Sequence, residues 1–164
     1  MTKESYEKLL RPFKKNKAAA TALNILNKTL TAFVYVSYPS LLFYLLLFER
    51  EKLIKAVLVP AIMLVLVSVL RKIIDRPRPY CAFNTEPVIK KEKQGESMPS
   101  RHIFSVFIIA MTFLYAVPLL SVPLFAAGVI LGTVRVLGGV HYPSDILAGA
   151  AIGLAFGAIG FFVI

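Results

Sequence analysis

The sequence contains one cysteine, Cys81, and two histidines, His102 and His141. A single cysteine rules out an intramolecular disulfide and makes a thiolate-based metal site implausible. Acidic residues are also scarce: nine Asp and Glu stand against 19 Lys and Arg, a formal net charge of +10. In a soluble protein that excess would point to nucleic acid. Here the basic residues gather at the ends of hydrophobic runs, which suits anionic lipid headgroups and argues against a nucleic-acid partner. Long polar stretches are few, and only residues 71–101 form one inside the chain. Residues 1–17 are too polar for a signal peptide. There is no internal repeat and no sign of a second domain, so residues 1–164 read as one unit.

What remains is largely hydrocarbon. Hydrophobic residues make up 57% of the chain, and the mean hydropathy is +0.72. Several runs approach the ~20 residues needed to cross a bilayer as a helix. They are too continuous for the alternating pattern of a membrane barrel. The fold expected is all-α: a polytopic bundle of about five transmembrane helices plus an N-terminal interfacial helix. The spans fall at about 29–48, 53–70, 102–117, 124–136 and 144–164. Residues 1–28 read as a basic interfacial segment, in which Tyr6, Leu9, Leu10 and Phe13 recur at helical spacing. A solvated tail is the competing reading, because Pro12 interrupts that helix. In the last span Gly149, Gly153 and Gly157 suit close helix contact. The Lys90-Lys91-Glu92-Lys93 run reads as a solvated loop.

Counting crossings brings the charges together. The second span ends near Arg71, the third begins near His102, and the turn between the fourth and fifth holds Arg135, His141 and Asp145. With alternating crossings, all three segments lie on one membrane face. Fifteen Lys and Arg belong to that face and three to the other. The positive-inside rule leans toward a cytoplasmic site, but several of those charges are themselves site candidates, and the face of the site stays open. Charges at membrane helix ends are costly unless paired or wet, so such a cluster is a site candidate in its own right.

The cluster suits phosphate. Arg71 and Arg78 are two helical turns apart and can grip several phosphoryl oxygens, with Lys72 beside them. His141 and Asp145 are four apart at a helix start, where Pro143 fits the first turn. Asp145 can then accept a hydrogen bond from one ring nitrogen of His141 and leave the other free to attack. Ser100 opens the third span, where it can cap the helix or donate to phosphate. His102 can protonate a leaving oxygen. Singly, an Arg at a helix end is an orientation signal and a Ser before a helix is a cap; on one face, their roles complement each other.

These residues resemble the motifs of the type 2 phosphatidic acid phosphatase (PAP2) superfamily, whose membrane members are lipid phosphate phosphatases. That family shows Lys-x6-Arg-Pro, Pro-Ser-Gly-His and Ser-Arg-x5-His-x3-Asp in order. Here Arg78-Pro79 closes the first, Pro99 to His102 forms the second, and Arg135, His141 and Asp145 keep the spacing of the third. The resemblance implies that His141 is a nucleophile forming a phosphohistidine, that Asp145 orients it and that His102 protonates the leaving group. It assigns Arg78, Arg135 and Ser100 to phosphoryl oxygens, with no cofactor and no metal. It implies a lipid phosphate substrate held in a membrane, and leaves phosphatidate, phosphatidylglycerophosphate and undecaprenyl diphosphate as alternatives. Three positions depart: Arg71 stands at the Lys position, Arg101 replaces the Gly and Val134 replaces the Ser. A phosphate-binding protein that has lost turnover is the alternative those last two changes raise.

Overall fold

A computed structural model describes residues 1–91 and 93–164; Glu92, part of the basic run read as a loop, lies outside the described residues. Among the described residues all regular structure is helical. The chain runs through α1 (Lys3–Lys15), α2 (Lys17–Phe48), α3 (Arg50–Ile74) and the short α4 (Pro79–Ala82). It continues through α5 (Arg101–Ala116), a 3₁₀ turn (Pro118–Leu120), α6 (Ser121–Leu137) and α7 (Pro143–Phe162). Four helical segments are long and apolar enough to cross a membrane, and α5 is a shorter apolar helix among them. The protein is a multi-pass membrane helix bundle.

The bundle is built around α5. Ile103, Phe104, Val106, Ile108 and Ala110 are buried on successive sides of it, as expected of a helix that is apolar all round. The other long helices turn apolar faces outward as well. Phe33, Val36 and Phe43 of α2, Ile54, Ile62 and Val65 of α3, and Leu147 of α7 are exposed. Without a hydrophobic drive between helices in lipid, close approach depends on small residues. A Cβ added at Gly149, Gly153 or Gly157 of α7 would come within 3.0 Å of Ser100 O, Phe107 Cβ or Met111 Cβ of α5, respectively.

Two boundaries differ from the sequence reading. The first membrane helix begins at Lys17, twelve residues earlier than residue 29. Asn24, Asn27 and Lys28 are poor hydrocarbon but do not stop a helix; Asn24 Nδ2 donates to Ala20 O at 2.9 Å and to Val88 O at 3.4 Å. The segment 18–28 is therefore not part of a separate surface element. The N-terminal helix does form, with Pro12 inside it, and its apolar side chains Tyr6 and Leu10 meet protein and are fully buried. Lys3, Lys8, Arg11, Lys14 and Lys15 stay exposed.

The third helix stops where a left-handed residue ends it. Asp75, at φ 36°, caps α3 just before Pro77 and Pro79. The chain then turns back. Arg78 N–H donates to Gln94 O at 3.0 Å, and Ser97 N–H to Arg76 O at 2.9 Å. These bonds lay residues 94–97 alongside 76–78, over the end of α7.

Candidate active site

The turn 138–142 joins α6 to α7 and carries His141. Each of its first three carbonyls is held from a different direction. Gly138 O accepts from Val88 and Ile89 N–H, both at 3.1 Å. Gly139 O accepts from Tyr6 Oη at 2.9 Å, and Val140 O accepts from Arg78 Nη1 at 3.1 Å. Gly139 sits at φ +76°, the left-handed region that favours glycine. His141 thus rides on a fixed backbone and is 2% exposed.

Behind His141 stands Asp145, fully buried in the first turn of α7. Its Oδ2 lies 3.5 Å from His141 Nδ1 and accepts from Tyr142 N–H at 2.9 Å and from Ser97 Oγ at 2.6 Å. Its Oδ1 accepts from Arg76 Nη1 at 2.8 Å. Three partners besides His141 fix the carboxylate, and a hydrogen bond to it from His141 Nδ1–H would leave the Nε2 lone pair facing away from Asp145. Arg78 Nη1 is 3.4 Å from that Nε2. Burial pushes His141 down to about 4, and Arg78 and Arg135 add to the fall, while the Asp145 contact pulls the other way. That fall favours the neutral imidazole at pH 7.

At the start of α5 and in the last turn of α6, two buried donors lack partners. Arg135 is 3% exposed and Ser100 is fully buried, yet Arg135 Nε and Ser100 Oγ have no hydrogen bond among the described residues. Ser100 does not cap α5 with its side chain. Its N–H instead donates to Asp145 O at 2.9 Å, which ties the start of α5 to the start of α7. Unpaired polar groups at that depth are costly. Both are donors, so an anion would satisfy them.

The remaining candidates divide. His102 lies in the first turn of α5, half-buried against Thr31, Val34, Tyr35 and Leu131. Arg71 is buried, and its two terminal nitrogens donate to Pro99 O and Glu96 O, so at least two of its five N–H donors clamp the loop 96–99. Lys72 and Arg101 are exposed, with no ion pair among the described residues. Val134 is buried with Leu23, Ile89 and Val140, so the residue at the family's Ser position packs under the turn.

The structure also adds residues that sequence spacing did not select. Ser97 touches both members of the His141–Asp145 pair, at 3.4 Å and 2.6 Å. Arg76 reaches Asp145 and Ser144 and lies 4.1 Å over the Tyr142 ring. Half-buried Lys91 belongs to the loop pinned at Ile89 to Gly138 and at Gln94 to Arg78. Burial pushes Lys91 down to about 8, and Arg135, Arg78, Arg101 and Arg71 push it the same way. It lines a cleft with Tyr80, Asn84, Glu86 and Gln94.

Comparisons with known proteins bear on family and fold. Lipid A 1-phosphatase of Rhizobium johnstonii is 35% identical over 96 residues, 56% of this chain and 39% of the relative. Lipid A 1-phosphatase of Rhizobium etli is 36% identical over 93 residues, 54% of this chain and 40% of the relative. The match thus spans about two fifths of the curated relatives. Aquifex aeolicus LpxE superposes with a TM-score of 0.72 at 28% identity, over 96% of this chain and 92% of that one. A Bacillus subtilis transmembrane PAP2-type phosphatidylglycerolphosphate phosphatase superposes at 0.71 over 96% of this chain and 83% of its own; at 20% identity, this is a likeness of fold. Residues 52–163 match the sequence profile of the PAP2 superfamily, a stretch that holds all three motifs and both histidines, and the chain belongs to that superfamily.

Proposed function

We propose that this chain is a metal-independent membrane phosphatase that hydrolyses a lipid phosphate through a phosphohistidine. The observation that carries the reading is the pair of partnerless buried donors, Arg135 Nε and Ser100 Oγ, in the site whose nucleophile is backed by a fixed carboxylate. Donors already in place cost no reorganisation when charge develops on a transferring phosphoryl group.

In this mechanism Arg78, Arg135 and Ser100 hold the phosphoryl oxygens. His141 Nε2 attacks phosphorus, and the bond from phosphorus to the lipid oxygen breaks. His102, which takes up a proton when the anionic phosphate binds beside it, gives that oxygen its proton. Asp145 accepts the Nδ1 hydrogen bond and balances the positive charge that forms on the phosphorylated ring. His102, now neutral, takes a proton from water as the water attacks phosphorus. Inorganic phosphate leaves and His141 is regenerated. Arg71 acts by shaping the loop, and Lys72 and Arg101 meet the headgroup only from the periphery.

The substrate class follows from surroundings. The site lies beside the ends of α3, α6 and α7, whose outer flanks are apolar and exposed, so a headgroup can reach it while its chains stay in the bilayer. The names of the relatives add lipid A to phosphatidate, phosphatidylglycerophosphate and undecaprenyl diphosphate as candidates. Arg101 is exposed and Val134 is packed below the turn, so neither replaces a reacting group. This favours turnover over binding alone.

Phosphate release by the detergent-solubilised protein tests the reading on those four lipids, with EDTA present and His141→Ala alongside. Release from one lipid that disappears in the folded variant is expected. A variant that releases phosphate at the parent rate overturns the mechanism.

A further inference from the structure

The three carbonyls of the Gly138-Gly139-Val140 turn are each bonded, and the middle one takes its bond from the far N-terminus. Tyr6 is 133 residues away in sequence, fully buried, and its Oη donates to Gly139 O at 2.9 Å. The other two carbonyls are held by residues 78–89, inside the stretch that matches the family profile. Tyr6 is outside it.

The contact is built. Tyr6 and Leu10 are one helical turn apart on the inner side of α1, and both press on Gly139. A Cβ added there would lie 2.6 Å from Tyr6 Oη and 3.1 Å from Leu10 Cδ2. The Tyr6 ring sits 5.3 Å from Phe83, which meets Tyr142 edge-on at 6.2 Å. Tyr142 in turn lies under Arg76, the partner of Asp145. One side chain of α1 therefore holds Gly139, two residues before His141, through its hydroxyl, and reaches Tyr142, the residue after His141, only through the intervening Phe83 ring.

We propose that Tyr6 is a positioning residue for the reaction, its hydroxyl holding the Gly139 carbonyl so that His141 Nε2 faces the phosphoryl group. The inference rests on the reading of His141 as nucleophile. Its physical basis is that a small misplacement of a reacting group lowers turnover far more than it lowers stability. A single hydrogen bond makes only a small net contribution to folding. Displacement of an attacking nitrogen by about 1 Å costs on the order of a hundredfold in rate.

Tyr6→Phe removes the hydroxyl and keeps the ring on Phe83. Two readouts are taken on the full-length protein in detergent micelles. The first is hydrolysis of short-chain phosphatidate, where kcat is expected to fall about tenfold or more with KM within about twofold. The second needs no turnover: diethyl pyrocarbonate modification of His141, followed by peptide mass spectrometry, is expected to be several-fold faster in Tyr6→Phe. His102 modification is expected to be unchanged and serves as the internal reference. Leu10→Ala, which loosens the same helix without touching that hydrogen bond, controls for general destabilisation and is expected to lower thermal stability with a smaller effect on kcat. If the parent hydrolyses phosphatidate and Tyr6→Phe matches it in kcat and in His141 reactivity, the inference is overturned while the phosphatase reading stands. If the parent hydrolyses none of the lipids, the phosphatase reading falls. The modification rates then decide by themselves whether Tyr6 holds the His141 turn.

Discussion

Replacing Gly149 with alanine should separate the chemistry from the fold. The methyl group would sit 2.7 Å from Ser100 O and 3.2 Å from Phe104 N, where ordinary contact begins at 3.4 Å. Both neighbours are backbone, so neither can rotate away. The start of α5 must retreat from α7 by about 0.7 Å, because packed helices leave no slack. That retreat stretches the 2.9 Å bond from Ser100 N–H to Asp145 O and carries Ser100 Oγ away from the phosphoryl site. Overpacking of this kind costs about 1–3 kcal/mol, and a shift approaching 1 Å costs about tenfold or more in turnover. Gly157→Ala is the partner experiment. Its methyl would meet Met111 Cβ at 2.6 Å and Cγ at 2.7 Å, which are side-chain atoms two helical turns below the site. Phosphate release and circular-dichroism melting on both variants give the comparison. The expected result is lowered stability in each and lost turnover only in Gly149→Ala. Equal activities, or a parent-like rate in Gly149→Ala, would refute the claim that the Ser100–Asp145 tie sets the geometry.

Three further outcomes follow from contacts in the site. Ser97→Ala removes the 2.6 Å hydrogen bond to Asp145 and should lower kcat about tenfold with KM little changed, as expected for an interaction that acts through the nucleophile; a KM effect alone would contradict it. Lys91, held down near 8 by burial and the arginines, is charged below that pH and loses its charge as pH rises through it. Competitive inhibition by vanadate should therefore weaken above about pH 8 in the parent and less so in Lys91→Arg. Val134→Ser restores the family's residue but places a hydroxyl among Leu23, Ile89 and Val140. The melting temperature should drop by an amount equivalent to about 1–3 kcal/mol.

Much of this arrangement was legible in the sequence because the signals were long or periodic. Apolar runs marked the spans, and alternating crossings placed Arg78, His102 and His141 on one face. The spacing of four between His141 and Asp145 was enough to pair them. The small residues of the last span foretold its tight seat against α5. What escaped notice was local backbone shape. Ser97 looks like any loop serine, and only the pairing of residues 94–97 with 76–78 brings it to Asp145. Arg76 was one arginine among several. Arg71 stood at a motif position and looked like a phosphate ligand, but a loop carbonyl can satisfy a guanidinium as well as an anion can. Tyr6 carried a helical pattern that suited lipid and protein alike, and sequence alone does not say which surface an apolar stripe will meet. The early start of α2 was hidden for a related reason: polar residues argue against hydrocarbon, not against a helix.

The two helices that flank the His102 side of the site differ greatly in length. With 32 residues, α2 is about 48 Å long, and α5, with 16, is about 24 Å. The hydrocarbon layer is roughly 30 Å thick. α5 is shorter than that layer, but it is buried among the other helices and does not meet lipid. It opens level with Thr31 and Val34 of α2, so a phosphate held by Ser100 and His102 would lie well below the start of α2, whose first turns stand above it as a rim. A lipid entering there must lower its headgroup below the plane of its neighbours. The thickness of the host membrane then becomes a control on access, set by acyl-chain length and independent of any residue in the site.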